Sequence, residues 1–342
     1  MKRAGNLFDE ILSRDNLRSA FHKAKKGKSG RTDVIRFAAR LDDNLACLAE
    51  ELRSGTIRLG EYHQFVVHDP KERIITAPHF RERVIHHAVM NVCEPILDRW
   101  LIADSFACRV GKGRNEALAR ARTFAARCPY FLKLDVRKYF DSISHGRLLE
   151  LLARRFKDRR LLELFARLVG SFRGTLSRGL PIGSLTSQHF ANFYLGWLDR
   201  HVKETLRIPG YVRYMDDIAM WSPAKEELQR ALASATGFLE STLELVWKPE
   251  PYLNRTEHGM DFLGCRVYRS HHVLNRRSRV RFCRKMRVLE ELFERGELSE
   301  TELQQRETAM VAFARGGGVS SWRFRRRAID HEGVGGPRAR TG

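Results

Sequence analysis

The amino-acid sequence predicts an α+β fold in which helices flank an antiparallel sheet. Segments with the three- and four-residue apolar spacing of helices alternate with short runs that are typical of strands. Two of these runs, Tyr211–Met215 and Ile218–Trp221, are separated by only two residues, which favours an antiparallel hairpin. Hydrophobic residues make up 43% of the 342 residues, which is ample for a buried core and excludes a mainly disordered chain.

Helices are predicted on both sides of a first hairpin in the N-terminal part of the chain. Residues 1–60 are predicted to be helical because leucines recur at helical spacing, namely Leu41, Leu45, Leu48 and Leu52. Residues 62–76 alternate as strands around a turn at Asp69-Pro70, and residues 79–101 return to the helical pattern.

The rest of the chain mixes strands and helices. Tyr130–Val136 is a short apolar run that contains a carboxylate near its end, and it is predicted to be a buried strand. Helices are predicted over residues 146–157, 159–169, 185–206 and 224–242. The sequence then predicts a strand pair within residues 262–274, helices over residues 281–295 and 299–314, and a loose tail from Gly333 to Gly342.

The charge balance indicates a polyanionic partner. Lys and Arg number 62 against 41 Asp and Glu, which gives a net charge of +21 and a pI near 10.2. The basic residues form three clusters: Lys23, Lys25, Lys26, Lys28 and Arg31; Arg276, Arg277, Arg279, Arg281, Arg284, Lys285 and Arg287; and Arg323, Arg325, Arg326 and Arg327. One such cluster could be a solvated face, but three of them favour binding to nucleic-acid phosphates. An anionic lipid surface is the rival, but no strong apolar helix face accompanies the clusters.

The sequence argues against membrane and secreted classes. No stretch approaches the roughly 20 apolar residues of a membrane span, and the first residues lack the apolar core of a signal peptide. The six cysteines include no Cys-x-x-Cys pair, which argues against a zinc knuckle and a disulfide framework. We therefore expect a cytoplasmic protein with no membrane partner.

Three carboxylates lie at the ends of predicted strands. Asp216 and Asp217 link the two runs of the second hairpin, and Asp135 lies near the end of the earlier strand. Adjacent strand residues point to opposite faces, so we expect a turn to bring Asp216 and Asp217 to one site. A dense acidic cluster is costly without cations, and its oxygen ligands suit two Mg²⁺ ions in phosphoryl transfer. For an isolated Asp-Asp pair, ordinary turn chemistry would be the alternative.

These carboxylates lie in the first and third of three motifs whose order and spacing resemble those of reverse transcriptases. The first motif is Phe131–Ile143 (FLKLDVRKYFDSI), which contains Asp135. The second is Gly179–Gln188 (GLPIGSLTSQ), which continues through Ala191–Leu195, and the third is Tyr214–Asp217 (YMDD). The resemblance implies an RNA-directed DNA polymerase with a right-hand fold of fingers, palm and helical thumb.

The resemblance extends over about residues 62 to 315. Lys71–Ile75 and Arg81–Ile85 are similar to the fingers segments that hold template and incoming triphosphate. Phe106–Gly113 is similar to the Gly-Phe-Arg-Pro-Gly-Arg segment of bacterial reverse transcriptases, and Phe262-Leu263-Gly264 resembles their primer-grip turn. The implied divisions are an N-terminal helical extension (1–60), fingers (61–130 and part of 145–180), palm (131–265), thumb (266–330) and a disordered tail (331–342).

The second motif also suggests a subtype. Most reverse transcriptases carry Gln and Pro where this chain has Ile182 and Gln188, and the pattern Ile-Gly-Ser-Leu-x-Ser-Gln resembles the enzymes of bacterial and phage diversity-generating retroelements. The compact length fits this group, since group II intron proteins usually add a maturase region. The resemblance implies a template-repeat RNA copied with errors at adenines, mutagenic retrohoming of the cDNA into a target gene, and a small basic accessory variability protein as an oligomeric partner.

The resemblance further assigns site residues. Two Mg²⁺ ions, with Mn²⁺ as a substitute, would be held by Asp135, Asp216, Asp217 and the carbonyl of Val136. Deoxynucleoside triphosphates would be bound by Lys71, Arg73, Phe140, Ile182, Gly183, Gln188 and Lys248. Template RNA and the RNA/cDNA duplex would be bound by Arg276, Arg277, Arg279, Arg281, Arg284, Lys285, Phe262, Leu263 and Gly264.

Three of these residues have more specific expected roles. Phe140 would exclude a ribose 2′-hydroxyl, and Lys248 would protonate the departing pyrophosphate. Ile182 would lower fidelity at template adenine, because it cannot make the hydrogen bonds of a Gln. Core packing is the alternative for Phe140 and Ile182.

Two other functions remain open from the sequence. One is a retron, abortive-infection or group II-like reverse transcriptase that copies faithfully. The other is a non-catalytic RNA-binding protein on a polymerase scaffold. The intact carboxylates of Asp135, Asp216 and Asp217 argue against the second, because an unused acidic cluster would destabilise the fold.

Overall fold

The structure, a computed structural model, describes residues 3–68, 72–172 and 177–316. Four helices come first, followed by a hairpin and a long helix. These elements are α1 (Phe8–Leu12), α2 (Arg14–Lys25), α3 (Thr32–Ala39), α4 (Leu41–Ser54), β1 (Tyr62–His68), β2 (Glu72–Pro78) and α5 (Phe80–Trp100). The helices predicted before residue 60 and the first hairpin are therefore confirmed, whereas the predicted turn at Asp69-Pro70 lies outside the described residues.

The remaining elements alternate between helices and strands. They are α6 (Arg114–Arg127), β3 (Tyr130–Asp135), α7 (Tyr139–Ser142), α8 (His145–Ala153), α9 (Arg159–Gly170), α10 (Leu185–Arg200), β4 (Gly210–Tyr214), β5 (Asp217–Ser222), α11 (Lys225–Leu243), β6 (Tyr252–Arg255), β7 (Met260–Phe262), β8 (Cys265–Val267), β9 (His272–Leu274), α12 (Arg276–Glu294) and α13 (Glu300–Gly316). The predicted tail and the basic cluster at 323–327 lie outside the described residues.

The central sheet has four antiparallel strands in the order β4-β5-β3-β6. Its middle strands are buried, with Phe131, Leu132 and Trp221 fully removed from solvent. Helix α10 contributes Phe190 and Phe193 to the core that covers this sheet. The mixture of helices and antiparallel sheet confirms the predicted α+β class.

Two smaller sheets complete the strand inventory of the described residues. Strands β1 and β2 form a two-stranded hairpin in which Val66 pairs with Ile74, and both side chains are largely exposed. Strands β7, β8 and β9 form a three-stranded antiparallel sheet just before α12. The sequence predicted a pair of strands here, and that prediction was one strand short.

Short polar residues determine several helix starts. The side chain of Ser13 caps α2, and that of Ser144 caps α8. Asp158 caps α9 through the Leu161 amide and also accepts hydrogen bonds from the amides of Leu7 and Phe8 at the start of α1. Asp158 therefore ties the N-terminal helices to the middle of the chain.

Besides the extra strand of the three-stranded sheet, sequence reasoning missed three elements and misplaced some boundaries. It did not identify α6, whose buried face consists mainly of alanines, the short helix α7 or the short strand β6. Helix α10 ends at Arg200 and continues as a π-helical turn over His201–Thr205. Helix α12 begins at Arg276, five residues earlier than predicted, because the Asn275 side chain caps it.

Candidate active site

Sheet register brings the carboxylates of the first and third motifs together. Asp135 is the last residue of β3, and it lies directly opposite Asp217 at the start of β5. Asp216 occupies the two-residue turn between β4 and β5 together with Met215, a turn that we call the Asp216 turn. The sequence had placed both Asp216 and Asp217 in the turn. That was wrong for Asp217, since Tyr214 pairs with it across the hairpin.

Two lysines form ion pairs with these carboxylates. The Lys248 Nζ lies 2.6 Å from Asp135 Oδ2, and the Lys133 Nζ lies 3.1 Å from Asp217 Oδ1. Lys248 is also held by its backbone, because its amide donates to the Asp135 carbonyl at 2.8 Å. The structure thus places Lys248 at the carboxylates, and it adds Lys133, which sequence reasoning missed. Lys133 precedes Asp135 by two residues on the same strand face, a spacing that could have revealed it.

The pKa values of Asp216 and Asp217 are raised in this setting. Burial, and secondarily the negative charge of Asp135, raises the pKa of Asp216. Burial raises the pKa of Asp217 to about 6 despite the opposing effect of Lys133. In addition, the Oδ1 atom of Asp135 is buried and has no hydrogen-bond partner among the described residues. The site therefore holds more negative charge than its two lysines compensate.

This donor set fits a divalent cation. Carboxylate oxygens are the ligands that hard cations prefer, and the unpaired Asp135 Oδ1 is a buried acceptor for one. Asp135 and Asp216 are the best candidate ligands, whereas the Asp217 carboxylate is engaged by Lys133. Within the described ranges, no three acidic, histidine or cysteine side chains already form a metal cluster.

The raised pKa of Asp217 predicts how stability depends on pH in the metal-free protein. An Asp that titrates near pH 6 when folded and near 3.8 when unfolded binds its proton more tightly in the folded state. The free energy of unfolding should therefore fall as pH rises from about 4 to 6, by up to about 3 kcal/mol. Urea unfolding across this pH range, with a chelator present, measures the fall.

The matched variants for this measurement are Asp217→Asn and Asp141→Asn. Asp217→Asn removes the titrating group, so we expect a flatter pH profile and higher stability at pH 7. Asp141 is exposed, and its substitution should leave the profile as in the unsubstituted protein. Equal slopes for all three proteins would contradict the assignment.

Tyr139 and Phe140 occupy different environments just after β3. Tyr139 is fully buried, and its hydroxyl donates to the Ala191 carbonyl on α10. Phe140 is only half-buried, so it is the ring that can face a ligand. Val136 is buried and forms a bridge with Trp247, which keeps its backbone beside Asp135.

The loop of the second motif packs against the first hairpin. The Ile182 carbonyl accepts a hydrogen bond from the Thr76 amide of β2 at 2.7 Å. Gly183 has a φ of 122°, and a Cβ there would lie 2.8 Å from Ile75, so only glycine fits. This contact places the loop next to β2. Gln188 follows in the first turn of α10, within 3.8 Å of the Cys108 sulfur.

Two basic residues of the fingers segment, Lys71 and Arg73, were expected to bind the triphosphate. Arg73 is an exposed residue of β2, and its positive charge lowers the pKa of Asp216, although burial outweighs this effect. Arg73 therefore lies close enough to the carboxylates to influence them. Lys71 lies outside the described residues.

The residues expected to contact primer and duplex form a second group. Leu263 and Gly264 are the two-residue turn between β7 and β8, with φ values of 49° and 79°. The Leu263 carbonyl accepts from Arg114 Nε at 2.9 Å, and the Gly264 carbonyl accepts from the Asn275 amide at 3.1 Å. The turn is thereby fastened to the start of α12, and Phe262 beside it is buried.

Helix α12 presents most of its predicted basic residues to solvent. The exposed ones are Arg276, Arg277, Arg279, Arg284 and Lys285, and Arg281 is half-buried. Among the described residues, no helix is long and apolar enough to cross a membrane. The exposed arginines give α12 a basic surface.

The central antiparallel sheet brings Asp135, Asp216 and Asp217 to one end of its strands, the arrangement expected of a right-hand polymerase. Residues 68–267 match the family described as reverse transcriptase (RNA-dependent DNA polymerase). Because this match covers more than half of the chain, the chain belongs to the reverse transcriptase family. Membership confirms the predicted right-hand polymerase fold.

Comparison with curated proteins found more distant relatives. An uncharacterized 91 kDa protein in a cob intron of Schizosaccharomyces pombe is 26% identical over 211 residues, covering 58% of this chain and 26% of that protein. Protein YkfC of Escherichia coli is 26% identical over 180 residues, covering 48% of this chain and 47% of that protein. The chain thus spans less than half the length of these relatives.

Comparison with solved structures found telomerases. Apo telomerase from Candida tropicalis, truncated from its C-terminal domain, aligns with a TM-score of 0.49 and 12% identity. The alignment covers 63% of this chain and 55% of that one.

Proposed function

We propose that this protein is an RNA-directed DNA polymerase that extends a DNA strand on an RNA template with deoxynucleoside triphosphates. One observation carries the proposal. Asp135, Asp216 and Asp217 lie at the same end of the strands of the central sheet, within the region that matches the family. These half-buried carboxylates, of which Asp216 and Asp217 have raised pKa values, form ion pairs with only two lysines among the described residues and need further positive charge. Divalent cations bound with the nucleotide would supply that charge.

In this proposal, Asp135 and Asp216 hold two divalent ions, Mg²⁺ or Mn²⁺ in its place, with the Val136 carbonyl as a further ligand. Such ions, when bound, activate the attacking oxygen and stabilise the leaving one. Asp217 contributes less directly, because its carboxylate is paired with Lys133. Lys133 thereby keeps Asp217 in place beside Asp135.

The basic residues of the site act on the triphosphate. Arg73 binds the phosphates from the hairpin, since guanidinium groups suit phosphate oxygens. Lys248 is 2.6 Å from Asp135, so it can neutralise charge there and donate a proton to the departing pyrophosphate. Gly183, Ile182 and Gln188 line the nucleotide side of the second motif, and Phe140 faces the sugar.

In this proposal, the nucleic acid binds along the basic surface of α12. The exposed arginines of α12 contact the phosphates of the RNA/cDNA duplex, and the Leu263-Gly264 turn supports the primer. We assign fingers to 61–130 and part of 145–180, palm to 131–265 and thumb to 266–330. The helices before residue 61 form an N-terminal extension that packs on α5.

For the subtype, we propose a diversity-generating retroelement of a bacterium or phage. The support is the sequence of the second motif, where Ile182 and Gln188 replace the usual Gln and Pro, together with the position of Ile182 against β2. In this proposal the protein acts in the cytoplasm with a small basic accessory protein and makes mutagenised cDNA for retrohoming. A faithful retron or group II-like enzyme is the alternative.

Ile182→Gln tests the subtype through fidelity. An added hydrogen bond worth roughly 0.5–1.5 kcal/mol should lower the error rate opposite template adenine by about two- to tenfold. Sequencing of cDNA made on a defined RNA measures this rate. Ile182→Val is the matched control, because it keeps an apolar side chain and should keep the errors. An unchanged adenine error rate in Ile182→Gln would contradict the proposed role.

The experiment that tests the function is Mg²⁺-dependent primer extension on an adenine-containing RNA template, followed by cDNA sequencing. Extension with errors concentrated opposite adenine supports both the activity and the subtype. Accurate extension supports the activity and the faithful alternative. Absence of extension, even with template RNA and accessory protein supplied, would contradict the activity.

A further inference from the structure

A fully buried ion pair lies next to the Asp216 turn. Arg213 on β4 and Asp199 on α10 are both 0% exposed. Arg213 Nε donates to Asp199 Oδ1 at 2.6 Å, and Nη2 donates to Oδ2 at 2.7 Å. The Tyr211 hydroxyl also donates to Asp199 Oδ1 at 2.6 Å. The Arg213 guanidinium therefore makes a bidentate contact with the Asp199 carboxylate, and the Tyr211 hydroxyl holds that carboxylate in place.

Further hydrogen bonds of Arg213 reach a second residue of α10 and two other segments. Nη1 donates to Asn192 Oδ1 at 2.8 Å and to the Met215 carbonyl at 3.1 Å. Nη2 donates to Ser105 Oγ at 3.0 Å. Every N–H of the guanidinium thus has an acceptor, and one side chain joins α10, the loop before α6 and the Asp216 turn.

The contact with Met215 is the one that concerns the active site. The Met215 carbonyl belongs to the peptide bond that leads into Asp216. Met215 also has a φ of 55°, in the left-handed region that long side chains rarely adopt. Such a conformation persists only where the surroundings hold it, and Arg213 supplies a hydrogen bond at that peptide.

Stability alone does not account for this pair. Buried ion pairs often contribute little net stability, and apolar residues of similar volume can replace them without loss. Lysine would keep the charge, but its single ammonium group cannot span the carboxylate, Asn192 and Met215 together. Position 213 therefore requires the planar guanidinium of arginine, which can donate to all of these acceptors at once.

We propose that Arg213, anchored by Asp199, is a positioning residue that fixes the Met215–Asp216 peptide so that the Asp216 carboxylate faces Asp135. The inference rests on the proposed polymerase function for its kinetic consequences. Arg213 does not touch the reacting atoms, and it acts through the conformation of the Asp216 turn.

Arg213→Lys is the first test, because it keeps the buried positive charge. We expect kcat for nucleotide addition to fall by about 10²-fold while KM for the deoxynucleotide stays within about threefold. Arg167→Lys is the matched control. Arg167 also donates to backbone carbonyls, those of Gly55 and Ile57, and belongs to α9 rather than to the sheet. The control should keep kcat, and a kcat for Arg213→Lys within twofold of the unsubstituted protein would overturn the proposal.

The double variant Arg213→Met, Asp199→Leu covers the case in which Arg213→Lys does not fold. It removes both charges, so we expect a thermal midpoint close to that of the parent together with the same loss of kcat. Retention of kcat in this folded variant would overturn the proposal.

Hydrogen exchange separates this inference from the proposed function. In the full-length protein without substrates, the amides of residues 215–217 should exchange faster in either variant than in the parent, while those of β3 remain protected. If the parent protein lacks polymerase activity, the proposed function fails, yet this readout still decides the positioning role. Unchanged exchange in the turn would overturn it.

Discussion

Asp216→Asn is expected to abolish primer extension, lowering its rate by at least about 10³-fold. The substitution keeps the shape of the side chain but removes the negative charge that a divalent ion would need. Asp135→Asn should behave similarly, since its carboxylate has the buried unpaired oxygen. Single-nucleotide extension of a labelled primer on RNA, under saturating Mg²⁺, measures the loss.

Asp216→Asn should also stabilise the metal-free protein. Burial and the charge of Asp135 raise the pKa of Asp216. The ionised form of Asp216 therefore destabilises the folded protein at neutral pH. We therefore expect a higher thermal midpoint for Asp216→Asn than for the parent when a chelator is present. This opposite behaviour of activity and stability distinguishes a functional carboxylate from a structural one.

Asp141→Asn is the matched control for both measurements. It makes the same chemical change at an exposed position within the first motif. Both extension and the thermal midpoint should stay at parental values. Robust extension by Asp216→Asn would remove the carboxylate cluster from the mechanism.

Phe140→Ala is expected to weaken the selection of deoxynucleotides over ribonucleotides. Phe140 is half-buried, whereas its neighbour Tyr139 is buried and its hydroxyl donates to the Ala191 carbonyl on α10. Removal of the ring should lower the ratio of kcat/KM for the two sugars by about 10- to 200-fold, because a steric contact of this size is worth about 1–3 kcal/mol. Single-turnover incorporation of matched deoxy- and ribonucleotides gives the ratio.

Tyr139→Phe is the control that separates sugar selection from packing. It removes a buried hydroxyl at a cost of about 1 kcal/mol in stability and leaves the ring in place. Its sugar selectivity should therefore equal that of the parent. If Phe140→Ala keeps full selectivity and loses only stability, Phe140 is a packing residue.

Several features of the fold could be predicted because they are local. The period of apolar residues identified the first hairpin, the strand Tyr130–Asp135 and most of the helices. The same logic failed for α6, because its buried face is built mainly of alanines and gives a weak apolar signal. The start of α12 was missed because a single cap, Asn275, determined it.

The candidate site was only partly predictable. The sequence by itself determined the family, because three motifs occur in order and the first and third of them carry Asp135, Asp216 and Asp217 whatever the details of packing. It also indicated that these carboxylates would need cations.

Only the tertiary structure decided which groups compensate them. Lys133 and Asp217 meet because β3 and β5 are neighbours in a particular register, and Lys248 meets Asp135 through the segment that follows α11. The Arg213–Asp199 pair likewise depends on how α10 lies beside β4. Periodicity along a chain reports which residues are buried, whereas the pairing of buried charges depends on contacts between distant segments, and those exist only in the folded protein.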